Sequence, residues 1–450
     1  MLRVAAKLAS TQTTSHRLLL MAHLLASSLL TVASSLQQCT VNCGVELSGG
    51  GVGQSCCDST KHCVGHTSHQ YHWHSCDLKP TLTDLFVAGG SDSSGTNYTC
   101  FRIPAAVRLR NRTIVAFAEG RRGSCSDHGD VRMVRRNSDD DGKTWGPIEQ
   151  VKHETGHTIG NPAPIADFST GMLHLLYSRD NQQVYYTASA DGGATWSDST
   201  NLTATLKPTS DPDAFVGTGP PGGVQLASGR LIFALYYNPP APAKTTSISA
   251  FSDDHGATWQ LGGAVPVNPT GHPAVYQGGE SQVAVVAGNS LAMLMRVRGD
   301  FAAGGPSLGA PRAVNHNHAL ATSSDGGITW SNASLLPLQT VFCEGSLLGA
   351  GDGPLLLSAP STKNGVRANL TVWSSSRFGD HTDFEYLATI YSGAAAYSSL
   401  LASLSPAMYL ILFERDNSQA ISLTSFEYDF AGREKRLVEA AATATGRAGA

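Results

Sequence analysis

Side chains able to do chemistry are concentrated in two patterns along this 450-residue chain. The first is a repeat, Ser-x-Asp-x-Gly-x-Thr-Trp, at Ser138–Trp145, Ser189–Trp196, Ser252–Trp259 and Ser323–Trp330, with a decayed version expected around Ser375 and Gly379. Its carboxylates, Asp140, Asp191, Asp254 and Asp325, could in principle move protons. Their company describes a turn instead. Asp accepts from backbone N–H groups across the turn and Gly supplies a positive φ. Thr closes the hairpin and Trp anchors it from below. The repeat is therefore structural. The second pattern is a run of cysteines, Cys39, Cys43, Cys56, Cys57, Cys63 and Cys76, interleaved with His62, His66, His69, His72 and His74. A metal-binding module is one reading, but the spacings match no zinc signature. Disulfides stapling a segment too short to build a core are the expectation.

The elements that position chemistry follow from the spacing of the repeat. Its intervals are 51, 63 and 71 residues, too long for a solenoid rung and suited to a four-stranded propeller blade. Runs such as Thr113–Glu119, Val131–Arg136, Met172–Ser178, Val184–Ala188, Arg230–Tyr237, Ser281–Val286 and Ala368–Trp373 are short, β-rich and bounded by turns, the signature of strands. No segment of comparable strength has a helical period, which excludes an α/β fold. Residues 83–430 divided by six give about 58 residues per unit. The expected fold class is all-β, a six-bladed β-propeller, with Ala420–Tyr428 pairing with Thr83–Val87 to close the ring. Thirty-one Lys and Arg against 35 Asp and Glu give a net charge of -4, so bulk charge signals no nucleic-acid partner.

The N-terminus reads as an address. Arg3, Lys7 and Arg17 precede an apolar run, Leu18 to Val32, then Ala33, Ser34 and Ser35, and the first acidic residue is Glu46. That order describes a secretory signal over 1–35, with an uncleaved anchor or an organelle transit peptide as alternatives. Membrane contact is expected only in the anchored case. Residues 36–80 form the Cys/His-rich segment, 83–430 the propeller and 431–450 a flexible tail. Five Asn-x-Ser/Thr sequons, at Asn97, Asn111, Asn201, Asn332 and Asn369, exceed the roughly two expected by chance and favour the secretory pathway, extracellular or luminal.

Residues outside the repeat carry a family resemblance. Phe101-Arg102-Ile103-Pro104 lies before the first box, followed by Ala116-Phe117-Ala118-Glu119-Gly120-Arg121 and, six residues on, Asp127. Further along come Gly279-Glu280-Ser281-Gln282-Val283, Leu291-Ala292-Met293-Leu294-Met295-Arg296, Arg367 ahead of Ala368-Asn369-Leu370-Thr371, Ala396-Tyr397-Ser398-Ser399-Leu400, and Phe413-Glu414. With the boxes, these segments resemble the sialidase (exo-alpha-sialidase, neuraminidase) superfamily with Asp-box, or BNR, repeats, in the family's order and over about 345 residues. One departure is Gly219-Pro220-Pro221-Gly222-Gly223, where relatives often read Gly-Pro-Gly-His-Gly; it puts the linkage preference in doubt.

The resemblance implies retaining hydrolysis of terminal sialic acids on oligosaccharides, glycoproteins or gangliosides, with no metal or cofactor. It assigns Arg102, Arg296 and Arg367 to the substrate carboxylate, a role suited to the planar, bidentate guanidinium. Glu414 orients Arg102, and Arg121 lies near the C4 side of the sugar. Tyr397 is the nucleophile, an exception to the two-carboxylate scheme of most glycosidases. Beside a fixed substrate anion, a neutral hydroxyl avoids the repulsion that a carboxylate nucleophile would meet. Glu280 is its base and Asp127 the general acid, with Asp130 as rival; Arg298 shares parity with Arg296 and rivals it. Transfer to another sugar and a non-catalytic glycan-binding propeller are the alternatives.

Overall fold

The computed structural model describes residues 61–68, 71–78, 81–238, 245–266, 274–300, 317–350, 354–375 and 383–430. The leader, Cys39, Cys43, Cys56, Cys57, Gly379, the side chain of Arg298 and the tail after residue 430 lie outside the described residues. Two compact units divide the chain between Lys79 and Pro80. In the first, Lys61–Ser68 and Tyr71–Leu78 form an antiparallel hairpin whose register sets Cys63 opposite Cys76.

The second unit is all-β and propeller-like. Apart from Phe430 at the edge of the described residues, helix among them is confined to a single turn, Thr203–Leu206. Two sheets are four-stranded meanders, starting at Cys100–Arg108 and Ile159–Ala166. A third, from Val216–Thr218, has five strands, and a fourth, from Ala274–Ala287, has four. The remaining sheet has seven strands, from Ser346–Gly349 to Thr83–Val87, with the 18-residue strand Glu385–Ala402 in its middle. Thr83–Val87 is its last strand, paired antiparallel with Ala420–Glu427 as the sequence suggests.

Apolar side chains fill the spaces between consecutive sheets. Val115, Phe117 and Met133 meet Ile159, Leu173 and Leu175. Phe233, Ile248 and Trp259 meet Ile165 and Leu176. A comparable cluster, Leu356, Leu370, Leu400, Ile411 and Phe413, lies within the seven-stranded sheet, on either side of its long central strand. Each sheet thus hides both faces, and strands such as Ile114–Arg121 are buried throughout.

All four repeats close the hairpin between the third and fourth strands of a sheet, and they do so with one set of bonds. In the third copy, Ser252 Oγ donates to Asp254 (2.7 Å) and accepts from the Gly256 N–H (2.8 Å). Asp254 also accepts from the Thr258 N–H (2.8 Å) and hydroxyl (2.5 Å), and Gly256 has φ +85°. These bonds stabilise the charged carboxylate, holding the pKa of Asp140, Asp191 and Asp254 near 2. The box tryptophans reach into the junction with the preceding sheet: Trp196 packs edge-on to Phe117 and Trp330 donates to Ser249.

Side-chain acceptors also bridge neighbouring sheets or, in the last case below, two parts of the seven-stranded one. Glu414 accepts the Ile103 N–H (2.7 Å), Glu119 that of Asn161 (2.9 Å), Gln282 that of Leu347 (2.7 Å) and Glu344 that of Ser398 (2.9 Å). Inner-strand donors with no strand beside them are satisfied in this way, as buried N–H groups must be.

Ser252→Ala leaves the buried Gly256 N–H without its acceptor. It is expected to lower unfolding stability by about 1–3 kcal/mol in a denaturant titration while leaving the central cavity intact.

Candidate active site

One irregularity, repeated in four strands, builds the centre of the ring-forming unit. In Cys100–Arg108, Ile159–Ala166, Ala274–Ala287 and Glu385–Ala402, three residue steps on the first strand oppose two on its neighbour. The shifts fall between Arg102 and Ala105, Gly160 and Ala163, Gly278 and Ser281, and Ala395 and Ser398. A bulge of this kind bends the strand and re-aims the side chains within it. The bulged residues are Ile103-Pro104, Asn161-Pro162, Gly279-Glu280 and Ala396-Tyr397. Ile103 and Asn161 take φ of +56° and +53°, a conformation that asparagine tolerates and that is unusual for the β-branched isoleucine. Each of their N–H groups is fixed by a buried glutamate, Glu414 or Glu119.

The bulges open onto a cavity of about 440 Å³ lined by Arg102, Arg121, Asp127, Glu280, Arg296, Arg367 and Tyr397. Glu414 stands directly behind, 2% exposed, and accepts from Nε and Nη2 of Arg102, both at 3.1 Å. All eight site residues marked in the sequence therefore meet at one place. The three guanidinium groups surround the phenol of Tyr397. Cζ of Arg102 and of Arg367 lie 5.1 and 5.7 Å from its ring centroid, and Nη1 of Arg296 donates to its hydroxyl at 3.2 Å. The Tyr397 hydroxyl donates to Oε1 of Glu280, whose Oε2 accepts from Arg296 at 2.6 Å. Tyr397 is 5% exposed. Burial, then the Glu280 charge, push its pKa well above 10, against the pull of Arg296 and Arg102. A phenol so placed would need a base to leave it as an oxyanion, and a carboxylate is bonded to it.

Asp127 has a 69%-exposed side chain at the mouth. Its loop is tied back by the Cys100–Cys125 disulfide and by Arg121, which donates to Asp127 (2.7 Å) and to the Cys125 carbonyl (2.8 Å). Partial burial raises its pKa, but the Arg121 bond and charge and the Arg102 charge outweigh this and hold it below the ordinary value. The rival Asp130 is bonded to Arg122 (2.8 Å) and Arg132 (3.1 Å) and does not line the cavity.

Sequence reasoning missed several members. Glu119 anchors Arg121 through Nε (3.1 Å) and Nη2 (2.6 Å); its parity with Arg121 on an alternating strand was a usable signal. Phe342 lies 3.9 Å beneath the Arg296 guanidinium, and Tyr236, Asn161 and Asn181 complete the wall. These come from loops or distant sheets and carry no local pattern.

The charges balance. The cations are Arg102, Arg121, Arg296 and Arg367; the anions are Glu119, Asp127, Glu280 and Glu414. Each of these anions forms an ion pair with at least one of the cations, Asp127 with both Arg121 and Arg102, and Arg367 has no carboxylate within ion-pair distance among the described residues. The arrangement can receive an anion beside a hydroxyl nucleophile with its base, and can offer a proton from one side.

Comparison with known proteins places this arrangement in a family. The profile of the BNR repeat-like domain matches residues 112–410. An exo-alpha-sialidase of Arthroderma benhamiae is 30% identical over 200 residues, 38% of this chain and 47% of that protein. Sialidase-2 of Cricetulus griseus is 29% identical over 341 residues, 67% of this chain and 84% of that protein. The matches span about half the length of the fungal relatives. Among solved structures, the Hadza microbial sialidase Hz136 superposes with a TM-score of 0.61 at 22% identity, covering 79% of this chain and 76% of that one, and so shares the fold. With the BNR repeat matched over well over half its length, this chain belongs to the sialidase superfamily with BNR repeats.

Proposed function

We propose that the protein is a retaining exo-alpha-sialidase that removes terminal sialic acid through a covalent tyrosyl-glycosyl intermediate. The observation that carries this is the contact of Tyr397 with Glu280 inside a ring of three guanidinium groups. A sialic acid bears its carboxylate on the anomeric carbon, so an anion clamp around the nucleophile matches it and few other sugars. Sialylated oligosaccharides, glycoproteins or gangliosides are the partners this reading implies.

In the first step Tyr397 Oη bonds to the anomeric carbon as the glycosidic C–O bond breaks. Its proton passes to Glu280, and Asp127 gives a proton to the leaving oxygen. In the second, Asp127 takes a proton from water, which attacks the same carbon, and Glu280 returns its proton as the tyrosyl bond breaks. Two inversions give retention. Charge balance links binding to protonation: an incoming carboxylate adds a negative charge to a cluster of four cations and four anions. Neutrality returns when Asp127 takes up a proton, and engaging Arg102 with the substrate removes one of the two cations that held Asp127 ionised.

We also count the architecture as six blades, because apolar clusters separate six layers when the seven-stranded sheet is divided at Glu385–Ala402. The secretory reading of the leader is consistent with the exposure of Asn97, Asn111, Asn201 and Asn332; Asn369 is half-buried beside Arg367.

Hydrolysis of a fluorogenic sialoside tests the function directly, and lactose as acceptor separates hydrolysis from transfer. Tyr397→Phe is expected to lower kcat on the order of 10³-fold or more with the unfolding midpoint unchanged, and near-normal turnover would remove the nucleophile assignment. Asp127→Asn is expected to lose about a hundredfold on natural glycosides and much less on an activated aryl sialoside, since a good leaving group needs little protonation. With the Asp127 pKa depressed in the free protein, kcat/KM should fall as pH rises from the acid range, and a plateau reaching about pH 9 would contradict the acid role.

A further inference from the structure

Glu344 is a buried carboxyl that the reaction above does not use. It lies just ahead of Ser346–Gly349, is 1% exposed, and its Oε2 accepts the N–H of Ser398, the residue after Tyr397. Ser398 is where the bulge carrying Tyr397 rejoins its neighbour, opposite Phe413. Two residues on, Leu400 N–H donates to Ser346 Oγ at 3.0 Å. The 344–346 segment therefore grips the strand from the side opposite Met408–Arg415. Glu119 and Glu414 do the same for Asn161 and Ile103, but each of those is ion-paired with an arginine. Glu344 has no ion pair among the described residues, and its Oε1 has no hydrogen-bond partner.

We propose that Glu344 is a positioning residue for Tyr397, acting as a neutral carboxylic acid that fixes the peptide on which the nucleophile stands. The inference rests on the sialidase reading for the reaction it serves. Its physical basis is independent of that reading. The site's four cations are already matched by four anions, so a fifth carboxylate charge in the same interior would be uncompensated. The charges that act on Glu344 are Glu280 on Ala274–Ala287, Arg296 on Ser290–Asp300 and Glu414 on Met408–Arg415. Around its chain neighbours, Tyr397 of Glu385–Ala402 packs on Cys343, Arg367 acts on the same thiol, and His318 lies against Gly345. Burial, reinforced by the charges of Glu280 and Glu414, raises the Glu344 pKa well above the usual range, against the Ser398 bond and Arg296. His318 is held near 3 and Cys343 near 12 by burial, so both are uncharged at neutral pH. A neutral acid keeps its carbonyl oxygen as the acceptor for Ser398 and adds no charge beside the peptide that follows Tyr397.

Two variants and two readouts test this. Glu344→Gln keeps an acceptor of the same reach and cannot ionise; Glu344→Ala removes the acceptor. The expectation is kcat within about twofold of the parent for Gln, and a fall of about tenfold or more for Ala with KM within about threefold. The second readout is the unfolding midpoint against pH, which is read whether or not a sialoside is turned over. The unfolded chain releases the Glu344 proton above about pH 4.3, while the folded chain retains it, so the parent loses stability relative to the Gln variant as pH rises from about 5 to 8. The midpoint difference, Gln minus parent, should grow over that range. A flat or shrinking difference would show an ionised Glu344 and overturn the neutral-acid assignment. Full kcat in the Ala variant, or equal losses in Gln and Ala, would overturn the positioning role. Failure of the parent on every sialoside would instead remove the sialidase reading, with the midpoint comparison still deciding the state of Glu344.

Discussion

Four guanidinium groups confined to one partly buried cavity repel each other, and much of the surrounding architecture answers that repulsion. Removing a cation from water is costly unless a counter-charge and good hydrogen-bond geometry come with it. Glu414 meets Arg102 with both oxygens, Glu119 grips Arg121, and Glu280 holds Arg296. Glu414 and Glu119 also accept the N–H of a left-handed residue on the next sheet. One carboxylate thus neutralises an arginine and welds two sheets. Electrostatic balance and ring geometry are satisfied by the same atoms.

Repetition of a single bulge explains how chemically different groups reach one centre. The position occupied by Pro104 and Pro162 in two strands is occupied by Glu280 and Tyr397 in two others. The scaffold supplies the same register shift, and the residue at that position decides whether a proline, a carboxylate or a phenol stands there; the last two line the cavity. The two polar apices are held by each other and by Arg296, the kind of fixing that preorganised sites require.

The strands, the box hairpins and the closing pair Thr83–Val87 with Ala420–Glu427 were legible because they depend on local pattern: period two, turn chemistry and a recurring octapeptide. The eight site residues were legible through resemblance; composition and period would not have found Arg367 or Glu414. What escaped was non-local. The bulges arise from pairing between strands, and only the Ile103-Pro104 and Asn161-Pro162 steps hint at them. Glu344 and His318 read as ordinary polar residues, since their burial is imposed by sheets distant in the chain. The lengths of Ala274–Ala287 and Glu385–Ala402, 14 and 18 residues, exceed what the short β-rich runs suggest, because pairing continues beyond the apolar stretch on both sides.

The pairing of Thr83–Val87 with Ala420–Glu427 also orders events during synthesis. A growing chain emerges N-terminus first, and its domains and sheets form as their partners become available. Here the first strand of the second unit waits for the last one among its described residues. Arg102 is made 312 residues before the carboxylate bonded to it, so the arginine cluster cannot assemble on the ribosome until nearly the whole second unit has been translated. Until then Thr83–Val87 is an unpaired strand, the kind of edge that chaperones protect and that neighbouring nascent chains can capture.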